Sequence, residues 1–104
     1  MLGRTGSEGE FIVRELAAAG VETASIQTDD AMSGFAAVMV ADDGMNSIVI
    51  APEANSRISD ADIDAFLGSA EPGELLLMQN ECSGLAHAVA TAHARGMGIW
   101  LNAA

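Results

Sequence analysis

Two apolar runs separated by a short polar loop form the clearest pattern in this chain. Residues 35–41 and 47–51 are apolar and suited to extended backbone. The loop at residues 42–46 has the sequence Asp-Asp-Gly-Met-Asn. Aspartate stabilises turns by hydrogen bonding to nearby backbone, and glycine accepts a positive φ without steric cost. The pattern therefore predicts an antiparallel β-hairpin.

Before the hairpin, the chain is predicted to form a helix and a short strand. Apolar residues recur at helical spacing over residues 8–19. Ser7 and Glu10 fit a capping box, in which the two side chains accept first-turn N–H groups. Gly20 suits the position just after the last helical turn. The short strand is expected at residues 25–28.

A second helix is predicted to begin at Ser59. Its first turns carry three aspartates, whose charges oppose the positive end of the helix dipole. Their alternate spacing also imitates a calcium-binding loop, but that loop requires glycine at its sixth position, where Ala65 stands. Helix capping is therefore the favoured role of Asp60, Asp62 and Asp64.

The last third of the chain is predicted to form a β-α-β unit. Leu75–Gln79 is an apolar run bounded by turn residues, which favours a buried strand. An alanine-rich helix at residues 83–95 and a strand at Gly98–Asn102 follow. This order implies parallel pairing through a right-handed crossover. The whole pattern predicts one α/β domain over residues 1–104, with a parallel layer and an antiparallel hairpin.

Charge and cysteine content narrow the classes of partner and location. The chain carries fifteen acidic and four basic residues, for a net charge of −11. Nucleic-acid binding needs clustered cations, and the four arginines are scattered, so neither a nucleic acid nor an anionic membrane surface is expected as a partner. Cys82 is the only cysteine, which excludes an internal disulfide. With no signal peptide or membrane span in the pattern, a cytoplasmic location is expected.

The histidines and the cysteine do not form an evident catalytic or metal centre. His87 and His93 would lie about 240° apart around a helix and cannot share a metal. Cys82 and His87 lack a third group that would orient them for nucleophilic catalysis. The sequence therefore assigns no catalytic residue and no metal ligand.

Several short motifs together resemble the ribokinase-like carbohydrate kinases. Ser33-Gly34 opens the hairpin, and residues 42–46 resemble the family turn Asp-x-x-Gly-Glu-Asn, with methionine in place of glutamate. Residues 53–55 stand where the family has Gly-Ala-Asn, with glutamate in place of glycine. Residues 20–24, 75–81 and 92–104 resemble three further family segments, although the last lacks the prolines usual after Asn102.

The resemblance spans this chain but only part of such a kinase. It implies a partial Rossmann-like parallel sheet and, for the full-length family, phosphorylation of a sugar hydroxyl with ATP and Mg²⁺. The family's Asn-x-Asp, Gly-Gly-x-x-x-Asn and Gly-Ala-Gly-Asp segments are absent, and the last of these carries the catalytic base. Since phosphoryl transfer depends on charge neutralisation and a positioned base, we expect no kinase activity and no cofactor for this chain alone.

The same resemblance indicates three substrate-binding residues. Ala36 and Val38 match positions where the family's lid hairpin touches the sugar. Glu81 matches a sugar-contacting glutamate at the carboxyl end of a strand, where α/β sheets place ligands. The alternatives are that Ala36 and Val38 are ordinary sheet-core residues and that Glu81 is a surface carboxylate at a helix start.

Three functions remain open at this point. The first is a remnant of a sugar kinase that acts as a structural module and forms a homodimer, because lid hairpins often clasp in the family. That dimer would use residues 35–50, whose unpaired edges favour self-association. The second is a stand-alone small-molecule binder that holds a sugar-like ligand with the lid and Glu81. The third is an enzyme of unknown chemistry, which no group of residues supports.

Overall fold

The computed structural model describes residues 1–103 and has a mixed α/β architecture. Within these residues the strands form three separate two-stranded sheets, two parallel and one antiparallel. The strands are β1 (Gly3–Thr5), β2 (Ile26–Thr28), β3 (Phe35–Val40), β4 (Asn46–Ala51), β5 (Leu75–Gln79) and β6 (Gly98–Asn102), and the helices are α1 (Glu10–Ala18), α2 (Asp60–Leu67) and α3 (Leu85–Ala94).

Sheet pairing follows the predicted hairpin and the predicted β-α-β unit. β3 and β4 pair antiparallel, and β5 pairs parallel with β6 across α3. β1 and β2 form a second parallel pair, which the sequence analysis missed because β1 is only three residues long. None of the helices in the described part of the chain has the length and hydrophobicity needed to cross a bilayer.

The start of α1 differs from the prediction, whereas its end agrees with it. A 3-10 turn at Ser7–Gly9 precedes α1, and neither element has a side-chain cap. The predicted Ser7–Glu10 capping box is therefore wrong, and the carboxylate of Glu8 instead accepts the backbone N–H of Ser33. At the other end, Gly20 has a φ of 84° and donates to a carbonyl of the last turn, as the prediction required.

The start of α2 carries the capping interactions that the sequence predicted. Ser59 Oγ accepts the backbone N–H of Asp62 at 3.2 Å, and the Asp62 carboxylate accepts the Ser59 N–H at 2.8 Å. Such reciprocal bonds satisfy two donors that would otherwise be orphaned. The capping role expected for the aspartates is thus confirmed for Asp62.

A small apolar core lies between α2, β5 and α3. In α3, Ala88 and Ala92 are one turn apart and buried, so their small side chains allow the helix to lie close to the strands. The expectation of a buried β5 is wrong for most of the strand, because the helices cover only one of its faces and leave Leu75 and Leu77 exposed. The buried core residues are Ile58, Ile63, Leu67, Met78, Ala88 and Ala92.

A network of charges joins β1 and β2 to α2. The Arg4 guanidinium donates to Asp29 at 2.9 Å and to Asp62 at 2.8 Å. Gln27 of β2 donates to the second oxygen of Asp62 at 2.9 Å, and Arg57 donates to Asp29. The Ser59 backbone N–H and the Arg4 guanidinium hold the pKa of Asp62 well below its usual range. Both carboxylates of the network are therefore ionised at neutral pH.

A second polar contact joins α2 to α3. His87 Nε2 lies 2.7 Å from Asp64 Oδ1, and His87 Nδ1 lies 3.8 Å from Asp60 Oδ2. The hydrogen bond to Asp64 raises the pKa of His87 because it favours the protonated imidazole. The contact therefore strengthens as the pH falls toward the normal range of histidine.

Asp62→Asn should lower the stability of the fold at neutral pH and flatten its acid dependence. A depressed carboxyl pKa contributes stability that is complete above about pH 4 and is lost as the pH falls further. We expect the variant to lose about 1–2 kcal/mol at pH 7 and to show a shallower decline in unfolding free energy between pH 5 and 3, measured by urea denaturation. Asp42→Asn removes the same charge at the hairpin turn and should keep the wild-type slope. An unchanged slope in Asp62→Asn would contradict the assignment.

The His87–Asp64 contact should make stability decline as the pH rises. A raised histidine pKa contributes stability that is complete below about pH 6.5 and is lost as the pH rises through the folded-state value. We expect this decline in urea denaturation between pH 6 and 8, and a clearly shallower one in Asp64→Asn, in which only Asp60 still favours the protonated imidazole. His93→Gln leaves the pair in place and should retain the decline. If Asp64→Asn declined as steeply as the wild type, the pair would not be its cause.

Candidate functional site

The hairpin is held in one register along its whole length. Phe35 pairs with Ala51 at the base, and Val40 pairs with Asn46 next to the turn. Since side chains alternate between the two faces and paired residues share a face, one face carries a continuous apolar set. The apolar residues of that face are Ala36, Val38, Val40, Ile48 and Ile50, and the polar Asn46 lies on the same face next to the turn.

The turn that joins β3 to β4 has the chemistry that its sequence predicted. Gly44 has a φ of 84°, a conformation that favours glycine, and its N–H donates to Ala41 O at 2.9 Å. The Ala41 N–H donates to Met45 O at 2.8 Å, and the Asp43 carboxylate accepts the Met45 N–H at 3.0 Å. These local bonds fix the register at the tip.

The base of the hairpin is closely packed around Gly34. A Cβ atom on Gly34 would lie 2.5 Å from Asn55 Nδ2 and 2.9 Å from Pro52 O, so no side chain fits there. The Ser83 N–H donates to Asn55 O at 3.0 Å, which connects this base to the segment before α3. The hairpin is thus anchored beside the carboxyl end of β5.

A cleft of about 500 Å³ lies between the apolar face of the hairpin and the end of β5. All three substrate-binding residues inferred from the sequence, Ala36, Val38 and Glu81, line this cleft. The structure therefore brings them together, although Glu81 is far from the other two in sequence.

The exposure of these residues bears on their alternative roles. Val38 is 54% exposed and Ala36 is also exposed, so in this chain neither is an ordinary sheet-core residue. Glu81 is exposed in the turn before α3, which begins four positions later at Leu85. Its carboxylate is therefore accessible from the cleft.

Two further polar residues line the cleft that the sequence analysis did not select. Asn55 contributes a side-chain amide at the hairpin base, and Gln79 contributes one at the end of β5. Amides can donate and accept hydrogen bonds, which suits hydroxyl groups. Their presence in the motifs at residues 53–55 and 75–81 was the available signal.

The cysteine next to the cleft is not an activated nucleophile. Cys82 is half-buried, and its burial raises the pKa of the thiol, with the neighbouring Glu81 charge acting in the same direction. A raised pKa disfavours the reactive thiolate. His87 contacts Asp64 instead, and no cluster of at least three metal-ligating side chains occurs among residues 1–103.

Comparison with known proteins identifies solved structures with the same fold, ribokinases among them. The crystal structure of Sa239 matches with a TM-score of 0.82 and 25% identity over 99% of this chain. Ribokinase from Cryptococcus neoformans, in complex with ADP, matches at 0.70 and 26% over 97%. Ribokinase from Arabidopsis thaliana, complexed with ribose and ATP, matches at 0.73 and 24% over 98%. No protein-family model and no curated protein matches the chain.

The chain covers a much smaller share of each matched structure than each match covers of the chain. The chain spans 36%, 32% and 35% of the Sa239, Cryptococcus neoformans and Arabidopsis thaliana chains, respectively. The mixed α/β fold with its hairpin agrees with these neighbours, as the sequence resemblance implied. The chain therefore resembles ribokinase-like carbohydrate kinases in fold and spans about one third of the length of the solved structures it matches.

Proposed function

We propose that this chain is a structural module derived from a ribokinase-like sugar kinase and that it forms a homodimer through hairpin residues 35–50. The observation that carries this proposal is the exposure of the hairpin's apolar side chains. Val38, Val40, Ile48 and Ile50 are 54%, 68%, 51% and 59% exposed, respectively. A continuous exposed apolar surface of this kind is typical of an interaction site.

The geometry of the hairpin also favours association. Isolated two-stranded hairpins have marginal stability in water, and their outer strands have unpaired backbone groups on one side. In this chain every residue of β3 is exposed, as is every residue of β4 except Ala51. A second hairpin would cover this surface and pair its edges.

Kinase activity is not proposed for the chain alone. Transfer of a phosphoryl group requires cations that neutralise charge and a base beside the attacking hydroxyl. The cleft residues within the described part of the chain include one carboxylate, Glu81, and no arginine or histidine. ATP and Mg²⁺ would belong to a longer kinase rather than to this segment.

Val38→Lys should convert the dimer to a monomer. A lysine in the centre of the apolar face would place a charge in the interface, where burial without a partner is costly. We expect the mass measured by light scattering after size exclusion to halve. Val89→Lys adds the same charge on α3, outside the hairpin, and should leave the dimer intact. A wild-type protein that is monomeric at high micromolar concentration would overturn the proposal.

A second candidate function is the binding of a small sugar-like molecule in the cleft. The observation that favours it is the convergence of Ala36, Val38 and Glu81 on one cleft with Asn55 and Gln79. A carboxylate can accept two hydroxyl hydrogen bonds, and the apolar side chains can cover the carbon face of a sugar. This arrangement is typical of small-molecule sites, which combine apolar walls with a few polar groups.

Titration with ribose, related sugars and ATP, followed by backbone amide NMR, tests this second function. We expect shifts confined to the cleft, at Ala36, Val38 and Glu81. Glu81→Gln should weaken ribose binding about tenfold, which corresponds to about 1.4 kcal/mol for the lost charged acceptor. Glu15→Gln on α1 is the matched control and should bind normally. A spectrum that does not respond to any sugar would contradict the binding function and leave the dimer proposal standing.

A further inference from the structure

The turn of the hairpin contains an aspartate that directly precedes a glycine. Asp43-Gly44 is the single Asp-Gly pair in the sequence, because every other aspartate precedes a residue that has a side chain. The carboxyl group of an aspartate can be attacked by the backbone nitrogen of the next residue, which closes a five-membered ring. Glycine hinders this attack least, since it has no Cβ atom. The pair is therefore the position in the chain where ring closure meets the smallest steric barrier.

The structure holds the Asp43 side chain against the peptide unit that it would attack. The Asp43 carboxylate accepts the Met45 N–H at 3.0 Å, so it extends along the Gly44 peptide unit that lies between them. Intramolecular reactions gain much of their rate from such proximity of the reacting groups. The turn thus keeps the carboxyl carbon of Asp43 and the nitrogen of Gly44 close together.

Little packing opposes a rearrangement of this turn. Residues 42–45 are all exposed, and a Cβ atom on Gly44 would meet no atom within 4 Å. The Gly44 N–H donates to Ala41 O at 2.9 Å, and this bond has to open before the nitrogen can react. Exposed turns with few apolar contacts open at a small fraction of the free energy of global unfolding. Ring closure therefore requires only local opening of the hairpin tip.

Two asparagines precede a serine and have the same ring-closing chemistry, with ammonia as the leaving group, but both are held more firmly. Asn46 belongs to β4 and pairs with Val40. The Asn55 amide is packed against Gly34, and Asn55 O accepts the Ser83 N–H at 3.0 Å. These contacts restrain the backbone on either side of the reacting bond. Asp43 is consequently the residue that the fold leaves most open to this reaction.

We propose that Asp43 is a site of spontaneous conversion to isoaspartate, which releases the tip of the hairpin and leaves its base in place. The Gly44 nitrogen bonds to Asp43 Cγ, and its proton leaves with the hydroxyl of the protonated carboxyl group as water. A second water molecule attacks the backbone carbonyl carbon of Asp43 and breaks its bond to the Gly44 nitrogen. The chain then runs through the side chain of residue 43, and the former backbone carbonyl becomes a free carboxylate. Water is the only co-reactant.

Isoaspartate lengthens the backbone of the turn by one carbon atom. The Ala41 N–H donates to Met45 O at 2.8 Å, and the Gly44 N–H donates back to Ala41 O. Both bonds span residue 43, so the lengthened turn cannot keep this geometry. The neighbouring pair, Val40 with Asn46, loses its register next. The packed base of the hairpin lies at the other end of both strands and does not contact the altered bond.

The test incubates the whole chain for several weeks at neutral pH and physiological temperature in water enriched in heavy oxygen. Each conversion should introduce one heavy oxygen atom, and electron-transfer mass spectrometry should locate the isoaspartate at residue 43. Asp42 is exposed in the same turn but precedes a residue with a side chain, so it should stay unconverted. Asp43→Glu needs a six-membered ring and should form no isomer. Asp42→Glu is the matched control, since it leaves Asp43-Gly44 in place, and it should convert at the wild-type rate.

Amide hydrogen exchange measured by NMR on the converted fraction tests the structural consequence. The amides of Ala41 and Gly44 should exchange about tenfold faster than in the unconverted chain, because their acceptors are displaced. The Ala54 N–H donates to Met32 O at 3.0 Å at the base of the hairpin and should exchange as before.

Three results would overturn the proposal. Conversion in the urea-unfolded chain but not in the folded one would show that the turn protects Asp43. Conversion of Asp42 or Asn46 as fast as Asp43 would mean that neither the glycine nor the turn directs the reaction. Conversion without faster exchange at Ala41 and Gly44 would refute the release of the tip. The test does not depend on the proposed dimer, and a monomeric wild-type chain would refute the dimer alone.

Discussion

The ion network around Arg4 holds together two parts of the fold that share little apolar surface. The buried core lies among α2, β5 and α3, whereas α1 buries none of its residues and β1 buries only Thr5. Arg4 connects these parts because it donates both to Asp29, next to β2, and to Asp62, at the start of α2. Removal of one partner from such a set leaves a poorly solvated charge, which costs more than the intact pair gains. The position of the first sheet therefore depends on charge geometry more than on hydrophobic burial.

Local signals in the sequence were sufficient where one segment determines its own structure. The hairpin turn needs only Gly44 and its flanking aspartates, and the start of α2 needs only Ser59 and Asp62. Predictions failed where contacts with a distant segment accompany a different local structure. Ser7 lies in a 3-10 turn whose Glu8 carboxylate accepts the N–H of Ser33, and Gly9 rather than Ser7 therefore occupies the N-cap position of α1. The burial of β5 was also predicted wrongly, because the sequence of a strand does not indicate which of its faces another element covers.

The candidate site was predictable only through family resemblance. Val38 lies on the hairpin and Glu81 follows β5, and no spacing rule relates two residues so far apart in the chain. Asn55 and Gln79 were visible within the matched motifs, but their amides carry no charge or pattern that would single them out. Their position in the cleft results from the packing at the hairpin base, which is a tertiary feature. The packing at the hairpin base therefore determines which polar side chains line the cleft.

The tight packing of Gly34 against Asn55 has a consequence for how this architecture can diverge. A side chain at position 34 would collide with both the Asn55 amide and a backbone carbonyl, so neither position can change freely without the other. The exposed residues farther along the hairpin are free of this restriction. Natural variation should therefore change the exposed side chains of the hairpin while it preserves the orientation of the hairpin relative to the rest of the fold. The packed base of the hairpin thus allows a new binding surface to evolve on the hairpin without a change in the fold.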